Sequence, residues 1–520
     1  MRLAALIENI PQKTVINYRD IEVSSLRYDS RAVENGSLFV ALPGAHSDGH
    51  SFIDAAIKNG AVVIVAQYRA SDDNSLPVII VPDTRKALAQ LATTFYSDPS
   101  ATMKLVGITG TDGKTTTTFM TAALLQGAGY HAGLISTVAV KIDEQFFWNE
   151  TGYTTPEAPE IQETLARMRD AGTQYVALET SSHSLALDRV ALCQYDVAVV
   201  TNITSDHLDF HGTWEEYFKA KAKLFQMLHQ DRKKPGEPVS VLNADDSSFE
   251  RLSGIVKGRT ITYGIKSSAD VKALDIVHRR GGSSFTLKTP QGEASIDLSM
   301  PGEYNVYNCL AAISVALSQG ITLVDIKATT SRGIAVPGRM QRVDKGQSFE
   351  VIVDYAHAPN GLRQALSTLR LALSSRDLTT SREPLREPQD SAQDKAKGRV
   401  IVVFGCAGER DPGRRDGMGR AAGELADFAI LTMDDPRSED SNDIIQEITV
   451  GLKEAGRTEG KDYIRIVDRR EAIKHAFSMA QANDIVLLAG MGHERRMLVG
   501  NEKLPWNEVE IAGQILEDMK

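Results

Sequence analysis

The chain has 520 residues, 42 % hydrophobic, 24 % charged and 6 % aromatic, a globular composition that excludes a coiled coil or a disordered polymer and, at about 150 residues per domain, predicts roughly three domains. With 58 Lys and Arg against 68 Asp and Glu, the net charge is −10; with no dense basic run, a nucleic-acid or membrane-surface footprint is excluded and any anionic ligand must be held locally. Apolar runs such as Ala61–Ala66 and Ile485–Ala489 are strand-sized, well short of the roughly 18 residues of a membrane helix. Cys193, Cys309 and Cys406 are scattered without metal-type spacing, which suits a reducing compartment. Leu3–Ile7, ended by Glu8, is too short for a secretory core. The expectation is a soluble, cytoplasmic, monomeric protein with no nucleic-acid partner and no membrane insertion.

Up to about residue 100, the runs Ser37–Leu42, Ala61–Ala66 and Val78–Val81 alternate with helix-compatible segments such as Ser51–Asn59, an α/β pattern. Tyr28-Asp29-Ser30-Arg31 and Leu42-Pro43-Gly44-Ala45-His46-Ser47-Asp48-Gly49 have the composition of turns, with a binding role as the alternative. Next, Leu105–Thr109 predicts a strand running into Gly110-Thr111-Asp112-Gly113-Lys114-Thr115-Thr116, with a helix from Thr117 to Gln126. Strand, Gly-rich turn and helix make a phosphate-binding architecture. The loop is shorter than the common G-x-x-x-x-G-K-[ST] form, because Ile108 stands where the first Gly would be. Gly110 and Gly113 admit backbone N–H groups to phosphate oxygens, Lys114 brings a cation to the β- and γ-phosphates, and the Thr115 hydroxyl can ligate Mg²⁺.

Strands at Tyr175–Leu178 and Val197–Val200 predict a parallel sheet with crossover helices over residues 101–335. The first of them ends in Glu179-Thr180-Ser181-Ser182-His183, where the carboxylate is well placed for a metal, although the segment reads equally as a helix cap. The second runs into Thr201-Asn202-Ile203-Thr204-Ser205-Asp206-His207. On a helix from Trp214 to Leu228, Trp214, Tyr217, Phe218, Leu224, Phe225 and Leu228 fall on one face with Lys221 near its centre, while Lys219 and Lys223 point away as solvated charges. An ammonium among apolar groups loses several kcal/mol of hydration unless paired or altered. Lys221 therefore calls for an explanation: snorkelling, a carboxylate partner, or a depressed pKa that lets the amine capture CO₂ as a carbamate and become an anionic metal ligand.

Asn305 and Asn308, three apart at the start of a helix, can face one ligand. A last α/β block carries strands at Phe349–Asp354, Arg399–Phe404, Phe428–Thr432, Tyr463–Val467 and Asp484–Ala489. Between Ser374 and Gly398 the chain is polar and aperiodic, which predicts an inserted mobile loop. Asp354, the Gly- and Arg-rich run Gly405–Arg415, Asp434-Asp435-Pro436-Arg437 and Gly490-Met491-Gly492-His493-Glu494 all lie at strand ends, where open parallel sheets bind ligands.

Taken in order, Gly110–Thr116, Glu179–His183, Asn202-x-x-x-Asp206-His207, Tyr217-x-x-Ala220-Lys221-x-x-Leu224-Phe225, Asn305-x-x-Asn308, Pro337-Gly338-Arg339, Asp354–His357 and Gly490-x-Gly492-His493-Glu494 resemble the Mur ligase family over nearly the whole chain, and within it the tripeptide-forming members. The resemblance implies three α/β domains: a UDP-binding domain over 1–100, a central P-loop ATPase-type parallel-sheet domain over 101–335, and a Rossmann-like domain over 336–520 that brings the amino acid. It implies that Ser30 and the turn Ala45, His46 and Ser47 hold the uridine diphosphate, and that Thr154, Thr155, Ser181 and Arg189 contact the muramoyl peptide. ATP, the co-substrate, would meet Gly110, Thr111, Asp112, Gly113, Lys114, Thr115, Thr116, Asn305, Arg339 and Asp354. Two Mg²⁺ sites are implied, one on Thr115 and Glu179, the other on His207 and carbamylated Lys221. Lys114, Lys221, His207 and Glu179 would carry catalysis.

The implied reaction joins a diamino acid to the D-Glu γ-carboxylate of UDP-N-acetylmuramoyl-L-Ala-D-Glu through an acyl phosphate. Arg415, Asp434, Asp435, Arg437, Gly490 and Glu494 would hold the diamino acid. In the family Asp-Asn-Pro-Arg marks enzymes for meso-2,6-diaminopimelate, whose distal carboxylate can pair with the Arg fork. Here Asp435 replaces the Asn, which leaves L-lysine or L-ornithine open while Arg437 favours diaminopimelate. The competing readings are a folylpolyglutamate-synthetase-like ligase, disfavoured by the first hundred residues, and a non-catalytic UDP-sugar-binding regulator, disfavoured by the presence of Lys114, Glu179, His207 and Lys221. A P-loop switch protein would need an Asn-Lys-x-Asp base-reading motif, which is absent.

Overall fold

The computed structural model describes residues 1–44, 47–68, 76–230, 232–374 and 398–520. Two compact units emerge, Met1–Lys272 with Leu310–Ile326, and Ala273–Cys309 with Lys327–Lys520. The first opens with strands β1 (Thr14–Ile16), β2 (Ser25–Arg27), β3 (Ser37–Val40), β4 (Ala61–Ala66) and β5 (Val78–Ile80), ordered β1-β5-β4-β3-β2. All pairs are parallel except β1 with β5. Alternate residues leave opposite faces of a strand, and both faces are covered. Leu38, Val40, Val63, Val65 and Ile79 pack with Leu3, Leu6, Leu88 and Leu91, while Phe39, Ala41, Ile64 and Ala66 pack with Ile53 and Ala56. Covering on both sides explains why β4 reads as an unbroken apolar run.

The same unit continues with β6 (Lys104–Thr109), β7 (Ala132–Ile135), β8 (Ala139–Ile142), β9 (Gln145–Trp148), β10 (Tyr175–Glu179), β11 (Val197–Val200), β12 (Val239–Asn243) and β13 (Arg259–Gly264). Their order is β13-β12-β11-β6-β10-β7-β8-β9. Pairing is parallel from β13 to β7, but β7–β8 and β8–β9 are antiparallel. The expected parallel sheet is thus present, and β8 and β9 extend it as an antiparallel edge, where the short turns after Ile135 and Ile142 leave no room for a crossover helix. Leu105, Leu178, Ala198, Leu224 and Phe225 belong to the core between this sheet and its helices. β6 lies between β10 and β11, so their carboxyl ends, at Thr109, Glu179 and Val200, emerge side by side.

In the chain order that follows, β14 (Val271–Arg279) leads to the antiparallel hairpin of β15 (Gly282–Thr289) and β16 (Gly292–Leu298). The second unit also holds β17 (Gln341–Val343), β18 (Glu350–Asp354), β19 (Val400–Phe404), β20 (Phe428–Leu431), β21 (Tyr463–Arg465) and β22 (Ile485–Ala489), ordered β17-β18-β22-β19-β20-β21. Only β17 runs antiparallel to its neighbour. A two-stranded ribbon, β23 (Arg496–Val499) and β24 (Glu502–Pro505), follows. Val351, Val353, Ile401, Val403, Val486 and Leu488 pack on Ile473, Phe477, Ile515 and Leu516 of two helices, Arg469–Met479 and Glu508–Asp518. Among the described residues no helix is long and apolar enough to cross a membrane. Residues 375–397 of the predicted insert lie outside the described residues.

Candidate active site

The turn after β6 leaves its strand at Gly110, φ +154°, where a Cβ would stand 1.8 Å from Thr201 Oγ1. Only glycine fits. The loop is pinned to the end of β11: Thr111 N donates to Asn202 O at 2.8 Å, Thr201 Oγ1 to Asp112 O at 2.6 Å, and Asp112 N to Asn202 Oδ1 at 3.0 Å. Gly113, φ +82°, caps the helix Lys114–Gly127, which starts at the lysine rather than at the expected Thr117. An α-helix directs its first N–H groups and the positive end of its dipole outward, where anions are favoured. Lys114 Nζ bends back to Thr111 O at 2.8 Å, so its ammonium stands over the loop. We expect Gly110→Ala to cost about 1–3 kcal/mol by overpacking and to abolish nucleotide binding, read as a fall in Tm together with loss of the ATP-induced Tm rise.

The strands beside β6 bring the other groups. Glu179, buried at the end of β10, accepts from Thr115 Oγ1 at 2.9 and 3.1 Å and from Thr137 N at 2.8 Å. A carboxylate and a hydroxyl side by side are the hard oxygen donors that Mg²⁺ takes alongside phosphate oxygens and water. Lys221 lies on the helix Trp214–Met227, which is capped by Thr213 Oγ1 at Glu216 N. Only 1 % exposed, it donates to Gly110 O at 2.6 Å and stands 4.5 Å from the Tyr217 ring centroid. Burial first, then the nearby Lys114 charge, press its pKa well below the usual lysine range against the opposing Asp206 and Asp112. Tyr217 Oη meets Thr111 Oγ1 at 3.0 Å, so this helix supports the phosphate loop at two points. Lys219 is exposed, but Lys223 departs from the expectation: it is half-buried and paired with Asp188.

His207, φ +52°, lies beside Asp206, Nε2 to Oδ2 3.3 Å. Burial lowers its pKa, opposed by Asp206 and reinforced by Lys114 and Lys221. Its ring packs 4.8 Å from that of His183, which is also 5.5 Å from His211. Burial and these two neighbours push His183 down to about 4. Of the expected metal ligands, Thr115 and Glu179 offer oxygen, His207 offers nitrogen, a poorer donor for Mg²⁺, and Lys221 offers oxygen only as a carbamate.

Thr155, Ser181 and Arg189 form one polar cluster behind Glu179. Thr155 Oγ1 donates to Glu179 O at 2.8 Å and accepts from Ser181 N at 3.0 Å. Ser181 Oγ caps the helix Ser182–Ala186 by accepting from Ser184 N at 3.1 Å, so that segment is a helix cap as well. Arg189 Nη1 donates to Thr155 O at 3.0 Å, and its Nε lies 2.8 Å from Glu157. Thr154 is partly exposed next to them. In the N-terminal sheet, Ser30 opens the short helix Ser30–Ala32 and its carbonyl accepts from Asn59 Nδ2 at 2.9 Å. Ser47 closes the turn onto Gly44 N at 3.0 Å. Ala45 and His46 lie outside the described residues.

In the second unit, Asn305 Nδ2 donates to Pro301 O at 2.8 Å and its Oδ1 accepts from Asn308 Nδ2 at 3.2 Å. The two amides thus also bind each other and the chain end before their helix. Asp354, buried at the end of β18, accepts from Met340 N at 2.7 Å. Burial raises its pKa against the Arg339 charge, and the Arg339 guanidinium lies 4.8 Å over the Tyr355 ring. Gly490, φ +107°, follows β22 so closely to Asp434 that a Cβ would stand 2.0 Å from its Oδ2. Burial pushes Asp434 up to about 7; Arg469 opposes this while Asp435, Glu508 and Glu494 add to it. Asp435 Oδ1 accepts from Leu498 N at 2.8 Å, and Glu494 Oε1 from Tyr355 Oη at 3.3 Å. Arg437 Nη1 lies 3.8 Å from Glu409. Arg415 is held by Glu439 at 2.8 Å and Glu447 at 3.0 Å.

Residues 22–96 match the model of the Mur ligase family, catalytic domain; residues 108–316 match the Mur ligase middle domain, and residues 385–492 the Mur ligase, glutamate ligase domain. The chain is 40 % identical over 528 residues to the UDP-N-acetylmuramyl-tripeptide synthetase of Roseiflexus sp. (strain RS-1), covering 100 % of this chain and 99 % of that one. The chain belongs to the Mur ligase family. To the UDP-N-acetylmuramoyl-L-alanyl-D-glutamate--2,6-diaminopimelate ligase of Caldanaerobacter subterraneus subsp. tengcongensis it is 39 % identical over 518 residues, 100 % of this chain and 99 % of that one. A solved structure of a UDP-N-acetylmuramoyl-L-alanyl-D-glutamate--2,6-diaminopimelate ligase superposes with TM-score 0.65 at 28 % identity, over 100 % and 99 % of the two chains. MurF from Thermotoga maritima in complex with ADP shares the fold, TM-score 0.61 at 20 % identity, over 96 % and 99 %.

Several groups that shape this Mur ligase were not singled out from its sequence. Glu157 anchors Arg189 and also lies 3.8 Å from Arg85; the signal was a carboxylate between Pro156 and the start of the helix Ala158–Asp170. His211 Nε2 is hydrogen-bonded to Ser182 Oγ at 3.0 Å, and its only mark was a position four after His207. Arg469, wholly buried against Glu508, carried no local signal.

Proposed function

We propose that the protein is an ATP-dependent, ADP-forming ligase that joins meso-2,6-diaminopimelate to the D-Glu γ-carboxylate of UDP-N-acetylmuramoyl-L-Ala-D-Glu, in the cytoplasmic supply of peptidoglycan precursors. Full-length identity near 40 % to ligases named for that reaction supports it. The observation that carries it is one constellation on adjacent strand ends: Lys114 over the loop, Thr115 on Glu179, and a buried Lys221 amine on Gly110 O. Residues 1–100 are assigned the UDP-sugar, 101–335 ATP, and 336–520 the amino acid.

The substrate carboxylate attacks the ATP γ-phosphorus, the bond to the β-phosphate oxygen breaks, and ADP leaves an acyl phosphate. The amine then attacks the acyl carbon, loses a proton, and the tetrahedral intermediate expels phosphate. Lys114 and the N-terminus of its helix balance charge on the transferring group, the main aid a protein gives phosphoryl transfer. Mg²⁺, held on Thr115 and Glu179 and at a second site on His207 and carbamylated Lys221, would supply further charge neutralisation. Burial holds the Lys221 amine toward its neutral form, the form that adds to CO₂ with release of a proton. Arg189, fixed by Glu157 and Thr155 O, is the cation for a muramoyl-peptide carboxylate.

Asp434, Asp435 and Glu494 surround the strand ends of the second unit with acid, which suits an incoming ammonium, and Arg437 answers the distal carboxylate of diaminopimelate. Asp435 already spends an oxygen on Leu498 N, so it is a weak lure for a distal ammonium. Incubation with ATP, Mg²⁺ and UDP-N-acetylmuramoyl-L-Ala-D-Glu, adding diaminopimelate, lysine or ornithine separately, is expected to release phosphate and the tripeptide product mass with diaminopimelate alone. No amino-acid-dependent phosphate with any of them rejects the ligase reading.

Because Asp434 sits near 7, protonation on acidification removes the counter-charge for the ammonium. The KM for the amino acid is expected to rise by roughly tenfold per pH unit below 7, with the KM for ATP flat. Asp434→Asn should show a high KM with no such slope; a wild-type slope in this variant would remove Asp434 from the role.

A further inference from the structure

At the start of β6, remote from the phosphate loop, lies a cavity of about 470 Å³ that the ligase reaction leaves without a role. Lys104, the first residue of β6, is in register with Tyr175, the first of β10. At about 3.3 Å per residue the strand sets this cavity roughly 20 Å from Gly110. Lys104, Arg169, Thr173, Gln174 and Lys234 are among its lining residues, and no carboxylate is among the described residues that line it.

The charge around it is unbalanced. Among the described residues, one carboxylate, Asp196, answers three cations: Lys234 at 2.6 Å, Arg232 at 3.1 Å and Lys104 at 3.4 Å. Lys234 is spent on structure, since its ammonium donates to Met103 O, Gln194 O and Asp196 Oδ2 at 2.6, 2.5 and 2.6 Å. Arg232 and Lys104 press on it as like charges. Lys104 is left as surplus charge at the mouth, its side chain 42 % exposed. Arg169 engages Asp170 through Nε and Tyr96 O through Nη1, so contact with a ligand falls to Nη2. Within the cavity wall, Thr173 is 6 % exposed and its hydroxyl has no hydrogen-bond partner among the described residues. Native folds rarely leave such a group unanswered.

We propose that this cavity binds a small phosphate-bearing anion, held by the Lys104 ammonium, the Arg169 guanidinium and a hydrogen bond from Thr173 Oγ1. A guanidinium edge and an ammonium are the usual partners of phosphate oxygens, and the volume is within the range of small-molecule sites. The site is separate from the phosphate loop, so the ligand and ATP bind together.

The test uses the full chain with its phosphate loop saturated by Mg²⁺ and a non-hydrolysable ATP analogue. Inorganic phosphate and glycerol 3-phosphate are titrated separately by calorimetry at low ionic strength, with hydrogen exchange followed in residues 101–104 and 169–175. Saturable one-to-one binding of at least one anion is expected, with protection in both segments. Affinity should fall at least tenfold in K104Q/R169Q and severalfold in Thr173→Val, and the tighter anion distinguishes free phosphate from a phosphomonoester. Thr173→Val keeps the side-chain shape and removes a hydroxyl the fold does not use, so its Tm without anion should not fall; it carries the test if K104Q/R169Q is poorly folded. Absence of saturable binding, protection confined to residues 110–117, or undiminished affinity in the folded variants would overturn the proposal.

Discussion

Lys221→Ala is expected to lower amide-forming turnover by about 10²–10³-fold, the scale seen when one preorganised charge-stabilising group is removed from a site of this kind, and added formate or acetate should restore part of it. The amine is buried, is kept toward its neutral form by burial and by Lys114, and touches the carbonyl of the first loop glycine. Two roles are thus possible for the side chain: a brace for Gly110, or a carbamate that brings negative charge beside the phosphates. A brace lost by truncation is not replaced by a free carboxylate, whereas a missing anionic ligand is. Lys221→Met separates them further, since it keeps most of the volume and loses both the donor and the site of carbamylation. Formate rescue of the Ala variant together with an inactive Met variant supports the carbamate. Full activity in either variant rejects it.

Arg469→Met is expected to cost about 3–5 kcal/mol, because it strands the Glu508 charge in the core, and to appear as a lowered Tm. Both side chains are 0 % exposed. Arg469 meets Glu508 through Nε at 3.0 Å and Nη2 at 2.7 Å, and Trp506 Nε1 donates to the same carboxylate at 2.6 Å. Replacing both partners, as in R469M/E508L, should recover much of the loss, since a well-packed apolar pair is often no worse than a buried ion pair. Arg469 also donates to Met433 O at 3.2 Å and Ala489 O at 2.8 Å, one residue before Asp434 and Gly490. The double variant should therefore regain its Tm while keeping a raised KM for the amino acid. A wild-type KM in that variant would confine Arg469 to stability.

The parts legible in the sequence are those written in short segments. β4 and β11 run from Ala61 to Ala66 and from Val197 to Val200 as read, because strands buried on both faces show as unbroken apolar runs. Lys221 stood out because helical periodicity placed a charge at the centre of an apolar face, and that is where the structure puts it. The β8–β9 edge was not legible: its Phe146 and Trp148 are only partly buried and alternate with the exposed Gln145 and Phe147, a weak signal over four residues. Nor was the Arg469–Glu508 pair, whose partners lie 39 residues apart and meet only once two helices pack on the sheet. Pairings of that kind depend on tertiary geometry that no local pattern encodes.

Apart from Arg415, the residues assigned to the amino acid hang beyond β20 and β22, strands whose ladders end at Leu431 and Ala489. Segments 434–437 and 490–494 can therefore be treated as cassettes, exchanged between relatives of different amino-acid preference without rebuilding the core. Their shared mooring is Arg469, which grips the residue just before each segment. A transplant that keeps this arginine and its glutamate should move selectivity and leave folding untouched.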